Sequence, residues 1–216
     1  MTEFETRAVL FDMDGTLVDS TAVVESVWSR FADMLGVPLA EILATSHGVR
    51  MEDTVRRHAS ANADVDAIVE ELSGCELAST EPVVAVPGAA AFVRSLPADA
   101  VALVTSATLD LAELRMRAIT VPMPGVVVTA SDVDRGKPFP DCYLRALALI
   151  GEDPADAVVF EDAPAGIEAA LAAGIRTVVV GGYDGPLARG LMRVPDYRNV
   201  RVVSGAGPGR RVRIRL

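Results

Sequence analysis

Ala8-Val9-Leu10-Phe11-Asp12-Met13-Asp14-Gly15-Thr16-Leu17-Val18-Asp19-Ser20 is the stretch that decides the fold. Ala8 to Phe11 is a short apolar run with the length and β-bias of a strand buried in a parallel sheet. It runs straight into two carboxylates spaced i, i+2, then into Gly15 and Thr16. Side chains at the carboxyl end of such a strand project into the crevice where open α/β sheets bind ligands. Two acids placed there repel each other, so a divalent cation or a shared proton has to compensate. Gly15 permits a sharp exit, and Thr16 offers a hydroxyl and an amide to an anion. The same Asp-Met-Asp-Gly would also suit an ordinary turn at a strand end. The rest of the chain has to decide between the two.

Downstream, Ser20 can cap a helix in which Val24, Val27, Trp28, Phe31 and Leu35 share one face, ended by Gly36. A short helix around Leu39 to Ala44, the loop Ser46-His47-Gly48-Val49-Arg50, a helix around Glu52 to Ala59, and one carrying Val65, Ile68, Val69 and Leu72 follow. Residues 19 to about 80 hold no strand signal. From Pro87 the pattern becomes strand alternating with helix: strands at 101–105, 125–129, 157–160, 177–180 and 200–203, with helices between them starting near Pro87, Leu109, Pro138 and Pro164. That alternation predicts an α/β fold, a doubly wound (Rossmann-like) parallel sheet with helices on both faces. The expected division is a core of residues 1–18 and 84–203, an inserted all-helical cap over 19–83, and a flexible, solvated Arg-rich tail over 204–216.

Half of the 216 residues are hydrophobic but only 5% are aromatic, so the core must be mostly Ala, Val and Leu. The formal charge of −10 is the wrong sign for a nucleic-acid protein. Ser204 to Leu216 carries four of the 20 basic residues and no acid, leaving 16 bases against 30 acids in residues 1–203, a net of −14. Cys75 and Cys142 stand in no metal-ligand spacing and read as reduced thiols. With no leader-like or membrane-spanning run, the expectation is a cytoplasmic monomer or weak dimer with no membrane partner.

Three further strand ends carry polar groups: Thr105-Ser106, then Gly136-Lys137-Pro138-Phe139-Pro140-Asp141, then Glu161-Asp162-Ala163-Pro164-Ala165-Gly166. A doubly wound sheet lays these along the same edge as Asp12 and Asp14. The combination suits phosphoryl transfer. Carboxylates need a hard cation to coexist, and Mg²⁺ prefers carboxylate and carbonyl oxygen. A lysine, a hydroxyl and helix N-terminal amides suit phosphoryl oxygens. One carboxylate is then free to attack phosphorus and another to handle protons.

Taken together, these four ordered motifs resemble the haloacid dehalogenase superfamily, in the branch with a helical cap inserted after the first strand. The resemblance covers Arg7 to Val203, and the segments 46–50 and 160–167 look most like the sugar-phosphate and glycerol-phosphate phosphatases. It implies that Asp12 is the nucleophile forming an aspartyl-phosphate and Asp14 the general acid and base. It implies that Thr16, Thr105, Ser106 and Lys137 hold the phosphoryl group, with Lys137 also neutralising charge on the nucleophile. Mg²⁺ would sit on Asp12, the Asp14 backbone carbonyl and Asp162, with Glu161 a near or water-bridged ligand. His47, Gly48 and Arg50 of the cap would recognise a small phosphorylated metabolite.

The dehalogenases that name the superfamily lack the second acid of Asp-x-Asp, so Asp14 argues against halide chemistry. The β-phosphoglucomutase pattern has a histidine where this chain has Val24, and Ser-Lys where it has Ala107 and Thr108. Those departures favour a hydrolase over a mutase. A phosphoglycolate- or nucleotide-type phosphatase and a non-catalytic phospho-ligand module remain open alternatives. His58, Trp28 and Cys142 read as structural.

Overall fold

A computed structural model describes residues 2–79, 81–205 and 211–216. Two short strands open the chain, β1 (Glu3–Thr6) and β2 (Ala8–Phe11), followed by a two-residue strand β3 (Val18–Asp19). Four helices come next: α1 (Thr21–Leu35), α2 (Leu39–Ser46), α3 (Met51–His58) and α4 (Val65–Leu77). The short strand β4 (Val84–Ala85) leads into α5 (Ala89–Ser95), β5 (Val101–Val104), α6 (Leu109–Ala118), β6 (Val126–Val128) and α7 (Asp141–Ile150). The chain continues through β7 (Ala157–Glu161), α8 (Pro164–Ala172), β8 (Arg176–Val180), β9 (Met192–Val194), β10 (Arg201–Ser204) and β11 (Val212–Arg215).

Six strands form a parallel sheet in the order β6-β5-β2-β7-β8-β9. Strand period 2 decides which residues face which layer. Val9, Phe11, Val101, Leu103, Val158 and Phe160 join α5 and α6 in one apolar layer, where Phe11, Phe92, Phe160 and Tyr197 meet ring to ring. Ala8, Leu10, Ala102, Val104 and Val159 face the other way, against α7 and α8. Both faces are therefore covered, which is why these strands read as unbroken apolar runs rather than alternating ones.

The four helices α1–α4 enclose a separate apolar cluster built on Val27, Trp28, Phe31, Ile42, Val55 and Leu72. The chain enters them from β3 and returns through β4. These two strands pair antiparallel, Val18 with Ala85 and Asp19 with Val84, so both crossings lie side by side.

The expectation of a flexible tail over 204–216 is corrected for its last residues; 206–210 lie outside the described residues. Strand β11 pairs antiparallel with β1 and with β10 in a second, three-stranded sheet. Val212 and Ile214 are buried against the core, while Arg213 and Arg215 cross to Glu5 and Glu3 of β1 at 2.7 and 2.6 Å. Arg211 reaches Asp156 at 2.6 Å. Arg211, Arg213 and Arg215 remain exposed but pair with carboxylates of β1 and of Asp156.

Candidate active site

The sheet order places the ends of β5, β2 and β7 side by side, and the site lies there. Asp12 follows the last residue of β2 and is 5% exposed. Its neighbour on one side is Thr105, just past β5; on the other are Glu161, the last residue of β7, and Asp162. Lys137, in the segment between β6 and α7, is 2% exposed and comes in from one side. Its ammonium contacts Asp12 Oδ1, and also donates to Glu161 Oε1 at 2.8 Å and to the Val104 carbonyl at 3.2 Å. All three of its donor positions are thereby used, and the charge is held against the Asp12 carboxylate.

Glu161 is fully buried and fully engaged. Oε1 accepts from Lys137 and from the Tyr143 hydroxyl at 3.0 Å; Oε2 accepts from the backbone amides of Asp162 and Ala163, both at 2.9 Å. Its place is reserved by Gly166, where a Cβ would overlap the Glu161 carboxylate. Glu161, expected as a near or water-bridged metal ligand, spends its oxygens on orienting Lys137 and the loop that carries Asp162, and it stays within the acidic cluster. Asp162 Oδ1 accepts from Thr16 Oγ1 at 2.9 Å, and the tight turn at Gly15 (φ 83°) leaves no room for a side chain beside that carboxylate.

Asp12, Glu161 and Asp162 each offer an oxygen, and these atoms lie within 4.8 Å of one another. Burial pushes the Asp12 carboxyl up to about 7, with the neighbouring Glu161 charge adding and Lys137 opposing. Burial and the charges of Glu161 and Asp12 likewise hold Asp162 well above the usual carboxylate range. Burial works against the charge on Lys137, but Asp12 and Glu161 outweigh it and hold the ammonium well above its ordinary value. Two buried carboxylates, the half-buried Asp162 and one ammonium leave an excess of negative charge, and the donors are all hard oxygens. That is the environment a divalent cation with oxygen preference fits.

Thr105 Oγ1 accepts from the Ala107 amide at 3.1 Å, and Ser106 Oγ donates to the Gly48 carbonyl at 2.8 Å, tying the helical layer to the sheet. Asp14 points into the cavity wall: Oδ1 accepts from Ser20 Oγ at 2.6 Å and Oδ2 from Arg115 Nη1 at 2.8 Å. A cavity of about 610 Å³ opens above Asp12 between the sheet edge and the four helices, with His47, Gly48, Arg50, Trp28 and Glu76 in its lining. His47 and Gly48 line this cavity. Arg50 lines the cavity too, but its guanidinium is occupied, on Asp53 at 2.7 Å and on the Val133 and Asp134 carbonyls at 3.3 and 3.2 Å. It fastens α3 to the segment after β6.

Sequence reasoning passed over Arg115 and Glu76, and it read Ser20 as a helix cap, whereas its hydroxyl makes no cap hydrogen bond and goes to Asp14. Arg115 follows Leu111 by four residues on the buried stripe of α6, and a charge on an apolar stripe is the signal that could have found it.

The sequence profile of the haloacid dehalogenase-like hydrolases matches residues 6–174. The chain belongs to that family. It is 40% identical over 178 residues to hexitol phosphatase A of Escherichia coli (strain K12), covering 81% of this chain and 82% of the relative. Glycerol-1-phosphate phosphohydrolase 1 of Saccharomyces cerevisiae is 35% identical over 185 residues, covering 80% and 73%. Among solved structures, a hydrolase from Pseudomonas syringae superposes with a TM-score of 0.77 at 26% identity, covering 88% of this chain and 92% of that one. The haloacid dehalogenase-like chain is thus a hydrolase with named phosphatases among its relatives, on the α/β core that its first strand announces. No helix among the described residues is long and apolar enough to cross a membrane.

Proposed function

We propose that the protein is a Mg²⁺-dependent phosphatase that hydrolyses the monophosphate ester of a small sugar or polyol through an aspartyl-phosphate on Asp12. The observation that carries this reading is the Asp12 carboxylate, pinned by Lys137 at the floor of a cavity large enough for a phosphorylated metabolite. Asp12 attacks phosphorus, Asp14 protonates the departing alcohol oxygen, and Asp14 then takes the proton from the water that cleaves the intermediate. Lys137 neutralises charge on the nucleophile and the phosphoryl group, while Thr105 and the Ser106 amide bracket the phosphoryl oxygens and the Thr16 hydroxyl is spent on Asp162. Asp12, Asp162 and the Asp14 carbonyl would hold Mg²⁺, which supplies charge neutralisation between the carboxylates and the phosphoryl group.

The charges around the cavity support an uncharged, hydroxylated leaving group. Both arginines in its lining are paired, Arg50 with Asp53 and Arg115 with Asp14 and Glu76, while Glu25, Glu52 and Asp134 add carboxylates. No unpaired cation of the lining waits for a second phosphate or a substrate carboxylate, among the described residues. Carboxylates and hydroxyls instead suit the hydroxyls of a polyol. The named activities of the hexitol-phosphate and glycerol-phosphate relatives support the same class.

The test is phosphate release from sugar, polyol, glycolate and nucleotide monophosphates with Mg²⁺ and then with EDTA. Release that requires the metal, is concentrated on a sugar or polyol phosphate and vanishes in Asp12→Asn is the expected result. Preference for phosphoglycolate or a nucleotide would overturn the substrate class. Transfer to a sugar from its bisphosphate, in place of release, would overturn hydrolysis.

A further inference from the structure

We propose that Arg115 is a positioning residue that ties the acid/base carboxylate Asp14 to the last turn of helix α4, so that Asp14 is set for turnover only while α4 is seated on the core. The inference rests on the phosphatase reading for the role of Asp14. The tie itself rests on geometry alone.

Arg115 grows from α6, whose neighbours Leu111, Ala112 and Met116 are buried in the core. Its guanidinium, 4% exposed as a side chain, divides between two partners. Nη1 donates to Asp14 Oδ2 at 2.8 Å and Nη2 to Glu76 Oε1 at 2.6 Å. Glu76 belongs to α4, a helix of the inserted layer, whereas Asp14 lies just past β2. One rigid planar fork therefore spans the layer that closes the cavity and the carboxylate that handles protons. Ser20, where the chain leaves the sheet for α1, holds the other oxygen of Asp14 at 2.6 Å, so one Asp14 oxygen is held from the entry to the helical layer and the other from α6.

Stability alone does not explain the arrangement. A buried ion pair is commonly matched or bettered by apolar side chains of similar volume. Here the pair is retained in a cavity wall, and one arm is spent on a carboxylate that remains 28% exposed and would be solvated without it. Glu76, 12% exposed, is the partner that depends on Arg115. The two arms thus do different work: Glu76 anchors the guanidinium to α4, and the guanidinium aims Asp14.

The experiment compares wild type with Arg115→Met, Arg115→Lys and the double variant Arg115→Met/Glu76→Leu. It reads thermal unfolding, kcat and KM on the preferred phosphate ester, and backbone hydrogen exchange across α4. Arg115→Met alone strands Glu76 and lowers the melting temperature. The double variant removes both buried charges and is expected to recover stability while its kcat stays about 10- to 100-fold down, with KM changed much less. Arg115→Lys is expected to regain part of kcat, and α4 to exchange faster in the double variant than in wild type. A double variant with wild-type kcat would overturn the proposal, because Arg115 would then matter to the fold alone. If wild type releases phosphate from no ester, the phosphatase reading falls and exchange decides the tie. Faster exchange in α4 would uphold it, and unchanged exchange would overturn it.

Discussion

Replacing Asp12, the proposed nucleophile, should make the metal-free protein more stable, and by an amount that depends on pH. Asp12 shares a buried pocket with Glu161 and Asp162 and only Lys137 to offset them, and its carboxyl is pushed from 3.8 up to about 7. Between those values the folded state holds a proton that the unfolded chain has released. Stability is therefore lost as pH rises through that window, and the full loss is reached above about 7. The interval from 3.8 to about 7, at about 1.4 kcal/mol per pH unit, sets an upper limit of about 4 kcal/mol. Relaxation of the site and water entering from the open cavity reduce this to roughly 2 kcal/mol. An amide at the same position keeps the shape of the protonated acid and never ionises, so Asp12→Asn escapes the loss. For a chain of this length that corresponds to roughly 4–8 °C in melting temperature.

The assay is thermal unfolding of both proteins in EDTA at pH 5 and pH 8. The variant should melt higher at pH 8, with a clearly smaller gap at pH 5. Saturating Mg²⁺ should then raise wild type more than the variant and close or reverse the gap, since a ligand that binds only the folded state stabilises it by mass action. A variant that melts below wild type at pH 8 in EDTA, or a gap that ignores pH, would refute the electrostatic account of the site.

Lys137→Met should abolish turnover and cost about 3–5 kcal/mol at pH 8, because Asp12 and Glu161 lose their buried counter-charge; urea unfolding measures it, and wild-type stability would contradict it. Gly166→Ala should destabilise by about 1–3 kcal/mol, since the new methyl group must displace Glu161 from Lys137 and Tyr143. An unshifted melting curve would show that the close approach is not real. Arg50→Ala should raise KM about fivefold, equivalent to ~1 kcal/mol, and leave kcat less affected. The reason is that Arg50 fastens α3 to the segment after β6. Unchanged steady-state kinetics would remove that fastening from the catalytic cycle.

Much of the fold is legible in the order of residues. Unbroken apolar runs such as Ala157 to Phe160 announce strands covered on both faces, and the period-3.6 stripe of α1 announces Trp28 and Phe31 as core. What escaped was short or masked by charge. Val212-Arg213-Ile214-Arg215 alternates apolar with polar, the signature of a half-buried strand, yet its arginines and the glycines before it suggested a solvated end. The acids that make it a strand partner, Glu3 and Glu5, lie at the opposite end of the sequence. Strands β3 and β4 were too short for any periodicity to mark.

The gathering of the site's polar residues at one sheet edge is legible in the order of the chain, because the rule that puts ligands at the carboxyl ends of parallel strands needs only strand positions and the residues that follow them. Asp12, Asp14, Thr105, Lys137 and Asp162 could be read from that alone. What each of those groups leans on emerges from the packing of helices against strand ends. Glu161 is a brace for Lys137, Arg50 is a fastener between layers, and Arg115 joins Asp14 to Glu76 across 101 and 39 positions of chain. Such pairings depend on which helix faces which strand end, and a pattern confined to neighbouring residues carries no information about contacts between side chains that only folding brings within hydrogen-bond reach.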